Sequence, residues 1–210
     1  MRIAVVGATG HTGAQVVKQA LRRGHGVTAI ARRPEAIELK HENLIVEPAD
    51  VLDPERLVSA LAGSEAVVSA LGIGTSRAAT VVYSEGIKNL LGAMGTNGTS
   101  TIAVISAAPV GPRAEQPFLE RRVAMPILER VFGASYDDMR RMEALLLTSD
   151  VDWVSLRPPR LVNKRATGTY RLDTRPLPKG RNITHADLAT ALLDSLNRED
   201  LYRQAAFVAN

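Results

Sequence analysis

Short apolar runs rich in β-branched residues alternate along the chain with longer stretches in which apolar positions return every three or four residues. Ile3-Ala4-Val5-Val6 is of the first kind, which suits a strand buried on both faces. The stretch carrying Val16, Val17, Ala20 and Leu21 is of the second kind, one stripe of a helix that Gly24 ends. Repetition of this alternation predicts βαβ units and a parallel sheet. Strands are expected at 2–6, 26–31, 43–47, 66–71, 101–106, 152–156 and 205–208. Helices are expected at 12–23, 54–62, 78–94, 118–132, 136–147 and 186–196. The fold class that follows is α/β, a Rossmann-type, doubly wound, mainly parallel sheet in a single domain over residues 1–210. The least regular stretches, 107–117 and 158–182, are rich in Pro, Gly and Arg and follow strand ends. Substrate loops are therefore expected at about 107–135 and 158–182, since open α/β sheets bind ligands at the carboxyl ends of their strands.

Composition narrows the function classes. With 210 residues, 45% of them hydrophobic and 23% charged, the chain has the make-up of an ordinary globular domain. Its apolar runs stop far short of the roughly 20 residues that cross a bilayer, so no membrane partner is expected. Zero cysteines remove disulfides, thiolate metal sites and cysteine nucleophiles. The N-terminus runs directly into a strand and not into a charged leader, so a cytoplasmic location is expected. The formal charge of +4 is spread among interleaved acids and bases, which argues against a nucleic-acid partner and fits a surface that attracts an anionic cofactor. No His/Asp/Glu grouping has metal-ligand spacing and no Gly-x-Ser-x-Gly elbow is present, so neither a metal nor hydrolase chemistry is expected. Oligomeric state is left open.

The chemistry-bearing motif is Gly7-Ala8-Thr9-Gly10-His11-Thr12-Gly13, set between the first strand and the first helix as a pyrophosphate site requires. Gly7 permits the tight turn, Gly10 lets backbone approach the phosphates, and Gly13 allows close packing of helix on strand. The spacing is G-x-x-G-x-x-G, not G-x-G-x-x-G. His11 is read as lining the diphosphate and not as an acid or base. Where an NAD site carries an acid at the end of the second strand, this chain has Arg32 and Arg33. A guanidinium binds a 2′-phosphate bidentately and stacks on adenine, so the pair favours NADP(H) as the cofactor; the alternative is two solvated arginines. Asp50-Val51-Leu52-Asp53 has the form of the acid-bearing corner beside adenine. Asp53 equally suits the N-cap of a helix beginning at Pro54, and Asp50 equally suits a structural turn. Gly72 and Gly74 close the fourth strand, either to let a cofactor lie across the sheet edge or as a loop exit. Ser106 closes the fifth, where its hydroxyl either positions a substrate oxygen beside the nicotinamide or merely finishes a strand.

Tyr136 is followed at the fourth position by Arg140, where a short-chain dehydrogenase has the lysine that activates its tyrosine. Arginine is not an equivalent, so Tyr136 is read as a pocket or core residue, with Asp137 and Asp138 starting a helix. With these residues placed, the chain resembles the atypical short-chain dehydrogenase/reductases that bind NADP(H), and within them the biliverdin-IXβ reductase or flavin reductase group. The likeness covers nearly the whole length. It is carried by Gly7 to Gly13, Val27-Thr28 through Arg32, Asp50-Val51, Leu71-Gly72, Ser84-Glu85-Gly86, Ser106-Ala107, Pro158-Pro159 and Asp187-Leu188-Ala189.

The resemblance implies that Thr9, Gly10, Thr12, Arg32, Asp50, Val51, Leu71, Gly72 and Ser106 contact the cofactor, with Pro158 and Pro159 beside the nicotinamide. Arg160 stands where that group has a histidine after its two prolines, and the 113–122 loop is longer and more charged. The activity expected is hydride transfer from NADPH to a planar conjugated small molecule such as a flavin, quinone or tetrapyrrole. Such chemistry depends chiefly on geometry and takes its proton from solvent, so it needs no Tyr-Lys pair. Val110, Phe118, Met125 and Leu161 are expected to line an apolar pocket for it. The alternatives are a non-catalytic NADP(H)-binding redox sensor that docks a protein partner, and a secondary-metabolite reductase or isomerase.

Overall fold

The computed structural model describes residues 1–74, 78–112, 122 and 125–210. Strand β1 (Arg2–Val6) holds the centre of the sheet because Ile3, Ala4, Val5 and Val6 offer apolar side chains to both faces. β2 (Gly26–Ala31) and β4 (Ala66–Ser69) flank it in parallel, with Ile3 in register with Val27 on one side and Ala66 on the other. Beyond them lie β3 (Leu44–Pro48), β5 (Thr101–Ile105), β6 (Asp152–Arg157), β10 (Gln204–Ala209) and β8 (Arg171–Asp173). The eight strands run in the order β3-β2-β1-β4-β5-β6-β10-β8, and β8 alone is antiparallel to its neighbour. The order reverses between β1 and β4, which opens a crevice at their carboxyl ends. The result is a single, doubly wound α/β domain.

Two helical layers cover the sheet. On one face α1 (His11–Arg22) packs beside α5 (His185–Ser195), burying Val16, Val17 and Ala20 with Leu188, Ala189 and Leu192. Gln19 ties these helices by donating to the Ala186 carbonyl at 2.8 Å and accepting from the Thr190 hydroxyl at 2.8 Å. The other face carries α2 (Pro54–Ala60), α3 (Val82–Asn97) and α4 (Met125–Leu147), whose Leu57, Ile87, Leu90, Met94, Met142 and Leu146 are enclosed. A buried ion pair from Arg157 to Glu143, 2.6 Å long, fastens α4 to β6, and Ser155 donates to the same carboxylate at 2.9 Å.

The structure departs from the sequence expectation in four places. The helices expected at 118–132 and 136–147 are one continuous α4 from Met125; residues 118–121, 123 and 124 lie outside the described residues. Gly133, between the two expected segments, has open space where a Cβ would stand, and Ser135 two residues on is buried, so packing overrides the weak local propensity. Asp137 and Asp138 consequently sit inside α4 and do not start a helix. α3 begins at Val82 and not at 78, and runs past 94 to a left-handed Gly98. The 158–182 stretch, expected as loop, carries β7 (Arg160–Val162) and β8, and β7 pairs with β9 (Asn182–Thr184) in a separate two-stranded parallel ladder. Three-residue strands are too short to show alternation, and their partners are distant in sequence.

Candidate functional site

The glycine loop crosses the end of β4 at close range. Gly7 has φ +77°, and a Cβ there would lie 2.6 Å from the Ala70 carbonyl oxygen. At Gly13 a Cβ would lie 2.1 Å from the Gly7 carbonyl oxygen. Both positions therefore admit only glycine. Gly10 differs: it is the exposed N-cap of α1 in an ordinary extended conformation, and its missing Cβ would meet only the Gly7 oxygen, at 3.3 Å. No side chain caps α1 and no acid lies in its first turn, so its leading N–H groups face outward beside exposed Thr9, Gly10 and His11. Such a terminus, with backbone laid bare by a glycine, is chemically suited to a phosphate.

A second histidine, which sequence reasoning missed, joins this loop from the far end of the chain. His185 opens α5, its ring stacks on His11 with centroids 5.2 Å apart, and its Nδ1 hydrogen-bonds the Thr12 hydroxyl at 2.8 Å. Burial, and then the charge of His11, hold the His185 pKa below its ordinary 6.5. Thr184 caps α5 by accepting from the Asp187 N–H at 3.0 Å. The Asp187 carboxylate accepts from the Thr184 hydroxyl at 2.7 Å, the Thr167 N–H at 3.0 Å, the Gly168 N–H at 3.1 Å and Asn210 Nδ2 at 2.9 Å. Burial works to raise the Asp187 pKa, and these bonds outweigh it and leave the group below its ordinary value. The sequence signals for this corner are the Asp187-Leu188-Ala189 likeness and the Thr184-x-x-Asp187 capping pattern, and neither points to His185.

At the other end of the crevice, Arg32 and Arg33 follow β2 and are both exposed. A cleft of about 340 Å³ is lined by Arg32, Pro48, Ala49, Asp50, Asp53 and Arg56. The structure thus unites Arg32 with Asp50 as expected, leaves Arg33 out of the lining and adds Arg56. Asp53 caps α2 by accepting from the Arg56 N–H at 3.1 Å, and Asp50 Oδ1 accepts from the Leu52 N–H at 3.0 Å. Val51 is buried; with Leu71 it abuts Gly86, where a Cβ would lie 3.0 Å from Val51 Cγ2 and 3.2 Å from Leu71 Cδ1. The glycine of Ser84-Glu85-Gly86 is therefore what lets α3 close on the crevice.

Ser106, Pro158 and Pro159 meet at the joined ends of β5 and β6. The Ser106 N–H donates to the Leu156 carbonyl at 2.8 Å, and the Ala108 N–H to the Pro158 carbonyl at 2.8 Å. Ser106 is 3% exposed, yet its hydroxyl has no hydrogen-bond partner among the described residues. Leaving such a group unsatisfied costs about 1–3 kcal/mol, and the Ser64 hydroxyl and Trp153 indole N–H share that condition away from the strand ends. Gly72 is exposed three residues beyond the end of β4.

Tyr136 lies half-buried on α4, and burial raises its pKa, with Arg140 pulling the other way and Glu129 adding to the rise. Arg140 is engaged with Asp137 at 2.7 Å and Glu129 at 2.9 Å. The phenol is therefore held in its protonated form at neutral pH. Fully enclosed Asp138 anchors α3, accepting from the Tyr83 N–H at 2.9 Å, from the Ser84 hydroxyl and from Arg141 at 3.0 Å. The expected apolar pocket is not assembled as foreseen. Val110 packs into the core on one face of the sheet and Leu161 against the core on the other, and Phe118 lies outside the described residues. Among the described residues, no group of three or more His, Asp or Glu stands where it could hold a metal ion, and no helix is long and apolar enough to cross a membrane.

A family model described as NAD(P)H-binding matches residues 7–199, from the first glycine of the loop to the last turn before β10. The chain belongs to this NAD(P)H-binding family. As an NAD(P)H-binding protein it is 30% identical over 123 residues to a photosystem II assembly factor, Ycf39, of Synechocystis sp.; the match covers 57% of this chain and 38% of that protein. Its fold is that of the oxidoreductase ylbE from Lactococcus lactis, at TM-score 0.83 and 20% identity over 100% of this chain and 91% of the other. A candidate NADH-flavin reductase from Streptococcus pneumoniae superposes at TM-score 0.80 and 23% identity over 100% of this chain and 99% of the other. The glycine cradle and the orphaned Ser106 hydroxyl fit the nicotinamide dinucleotide that the family's description names.

Proposed function

We propose that this protein is an NADPH-dependent reductase that passes hydride to a planar conjugated acceptor: a flavin, a quinone or a tetrapyrrole. The observation that carries the reading is Ser106, a buried hydroxyl without a partner at the joined ends of β5 and β6. When bound, the dinucleotide supplies the hydride. The Gly7 to Gly13 loop binds phosphate with backbone N–H groups, Arg32 takes the adenosine 2′-phosphate, and Ser106 hydrogen-bonds at the nicotinamide end, flanked by Pro158 and Pro159. Tyr136, held protonated and without a lysine, is left out of the proton path, which runs to solvent. Conjugated acceptors tolerate that arrangement because contact geometry supplies most of their activation. The name of the Streptococcus pneumoniae structure supports the acceptor class, and the reading places the protein in the cytoplasm.

The second reading is a dinucleotide-binding protein that acts through a partner without turnover; the naming of the Synechocystis relative as an assembly factor favours it. Calorimetric titration with NADPH and NADH, followed by NADPH oxidation with FMN, a quinone and biliverdin, separates the two. Tighter binding of NADPH and turnover with one acceptor class is the expected result. Equal affinities would refute the NADPH preference, and binding without turnover across the screen would establish the second reading.

A further inference from the structure

We propose that Arg56 is a second guanidinium of the 2′-phosphate site, acting with Arg32 to set selectivity for a phosphorylated adenosine; the inference rests on the NADPH reading and deepens it. Arg32 and Arg56 line one cleft of about 340 Å³ although they come from different elements, the exit of β2 and the first turn of α2. Asp53 fixes the position of Arg56 by accepting from its N–H at 3.1 Å, with Pro54 starting the helix. The cap therefore sets the backbone while the guanidinium stays available.

Charge decides why one arginine is not enough. Asp50 and Asp53 line the same cleft, so with Arg32 alone its lining would be net negative and would repel a phosphate dianion. Arg56 restores neutrality. Each carboxylate already has one oxygen engaged by a backbone N–H, from Leu52 and from Arg56. Neither guanidinium forms an ion pair or side-chain hydrogen bond with another described residue, so neither is already committed to a carboxylate, unlike Arg157 on Glu143. Two unpaired guanidiniums beside two carboxylates are a arrangement suited to a ligand that brings its own anion. Arg33, equally exposed, does not line the cleft and has no place in this site.

The test is calorimetric titration of the full chain with 2′,5′-ADP, 5′-AMP, NADPH and NADH, using Arg56→Gln, Arg56→Lys and Arg33→Gln beside the parent. Arg56 is exposed and contributes only its backbone to the cap, so its variants retain the fold; their melting is followed as a control. Arg56→Gln is expected to weaken 2′,5′-ADP and NADPH by about tenfold while leaving 5′-AMP and NADH within about twofold, with Lys recovering part of the loss and Arg33→Gln having little effect. A parent that discriminates by the 2′-phosphate, with that discrimination intact in Arg56→Gln, would overturn the inference alone. Equal weakening of phosphorylated and unphosphorylated ligands would also overturn it, because it would make Arg56 a base-stacking residue. A parent indifferent to the 2′-phosphate would overturn the NADPH reading and the inference together.

Discussion

Adding a methyl group at Gly10 and at Gly13 should separate binding from folding within one loop. At Gly13 the new Cβ would stand 2.1 Å from the Gly7 oxygen, 2.8 Å from the Gly7 carbonyl carbon and 3.0 Å from Ala8 Cα, against an ordinary contact of 3.4–4 Å. All three are backbone atoms, so α1 would have to retreat by roughly 1 Å from a core that includes Val16 and Val17. Overpacking of that kind costs about 1–3 kcal/mol, and at roughly 2–4 °C per kcal/mol for a chain of this size Gly13→Ala should melt about 2–12 °C lower. Gly10→Ala meets one atom at 3.3 Å, in a backbone conformation any residue adopts, and exchanging glycine for alanine at an N-cap costs a few tenths of a kcal/mol. Its melting temperature should stay within about 2 °C of the parent. Gly10→Val should also fold, yet lose NADPH affinity by about tenfold or more, because its branched side chain stands where backbone must meet phosphate. Differential scanning fluorimetry and calorimetric titration measure the two quantities. Unchanged NADPH affinity in a folded Gly10→Val protein would refute the assignment of this loop as the phosphate site.

Three further outcomes follow from the same site. Ser106→Ala removes an unsatisfied buried hydroxyl, so the ligand-free protein should be no less stable while kcat/KM with the acceptor falls severalfold to about tenfold; lower stability with unchanged kcat/KM would make the serine structural. Tyr136→Phe should leave NADPH-dependent reduction within about threefold, whereas a loss of several orders of magnitude would put the phenol in the proton path and favour carbonyl reduction. The folded-state pKa of His185 lies below 6.5, so the unfolded chain takes up the proton first and stability falls as pH drops from about 6.5 through that lowered value. His185→Asn should flatten part of this decline in urea midpoints between about pH 7.5 and 5, and superimposable profiles for parent and variant would rule His185 out as its source.

The parts of this molecule that repeat a local pattern were legible before the structure. β1 and β2 fall on their expected residues, Asp53 caps α2 as one of its two readings held, and Gly7 and Gly13 are glycines for the steric reasons given by the motif. What could not be read depends on residues that meet across the sheet. His185 reaches Thr12 over a separation of 173 residues, and Asp138 is an anchor for α3 only because Tyr83 and Ser84 come to it from 55 and 54 residues away. Arg56 belongs to no motif, and only the fold sets it beside Arg32 in one cleft. The strands of the 158–182 segment were hidden for the same reason, since β8 is short and is defined by its pairing with β10.

The contact between Thr12 and His185, backed by Gln19 against Ala186 and Thr190, bears on the order in which the molecule is made. The β1-α1-β2 unit closes over short loops, but the support behind the start of α1 arrives with a segment near the opposite terminus, so joining them bears one of the larger loop-closure entropies in the chain. The N-terminal half can therefore build its strands early while the Gly7 to Gly13 loop stays without its brace until the closing stage of folding. A ligand that grips the start of α1 then acts on the latest seam of the structure. It slows the separation of the first and last helices while leaving the β2-β3 edge to open at its own rate, and native-state hydrogen exchange reads that difference directly.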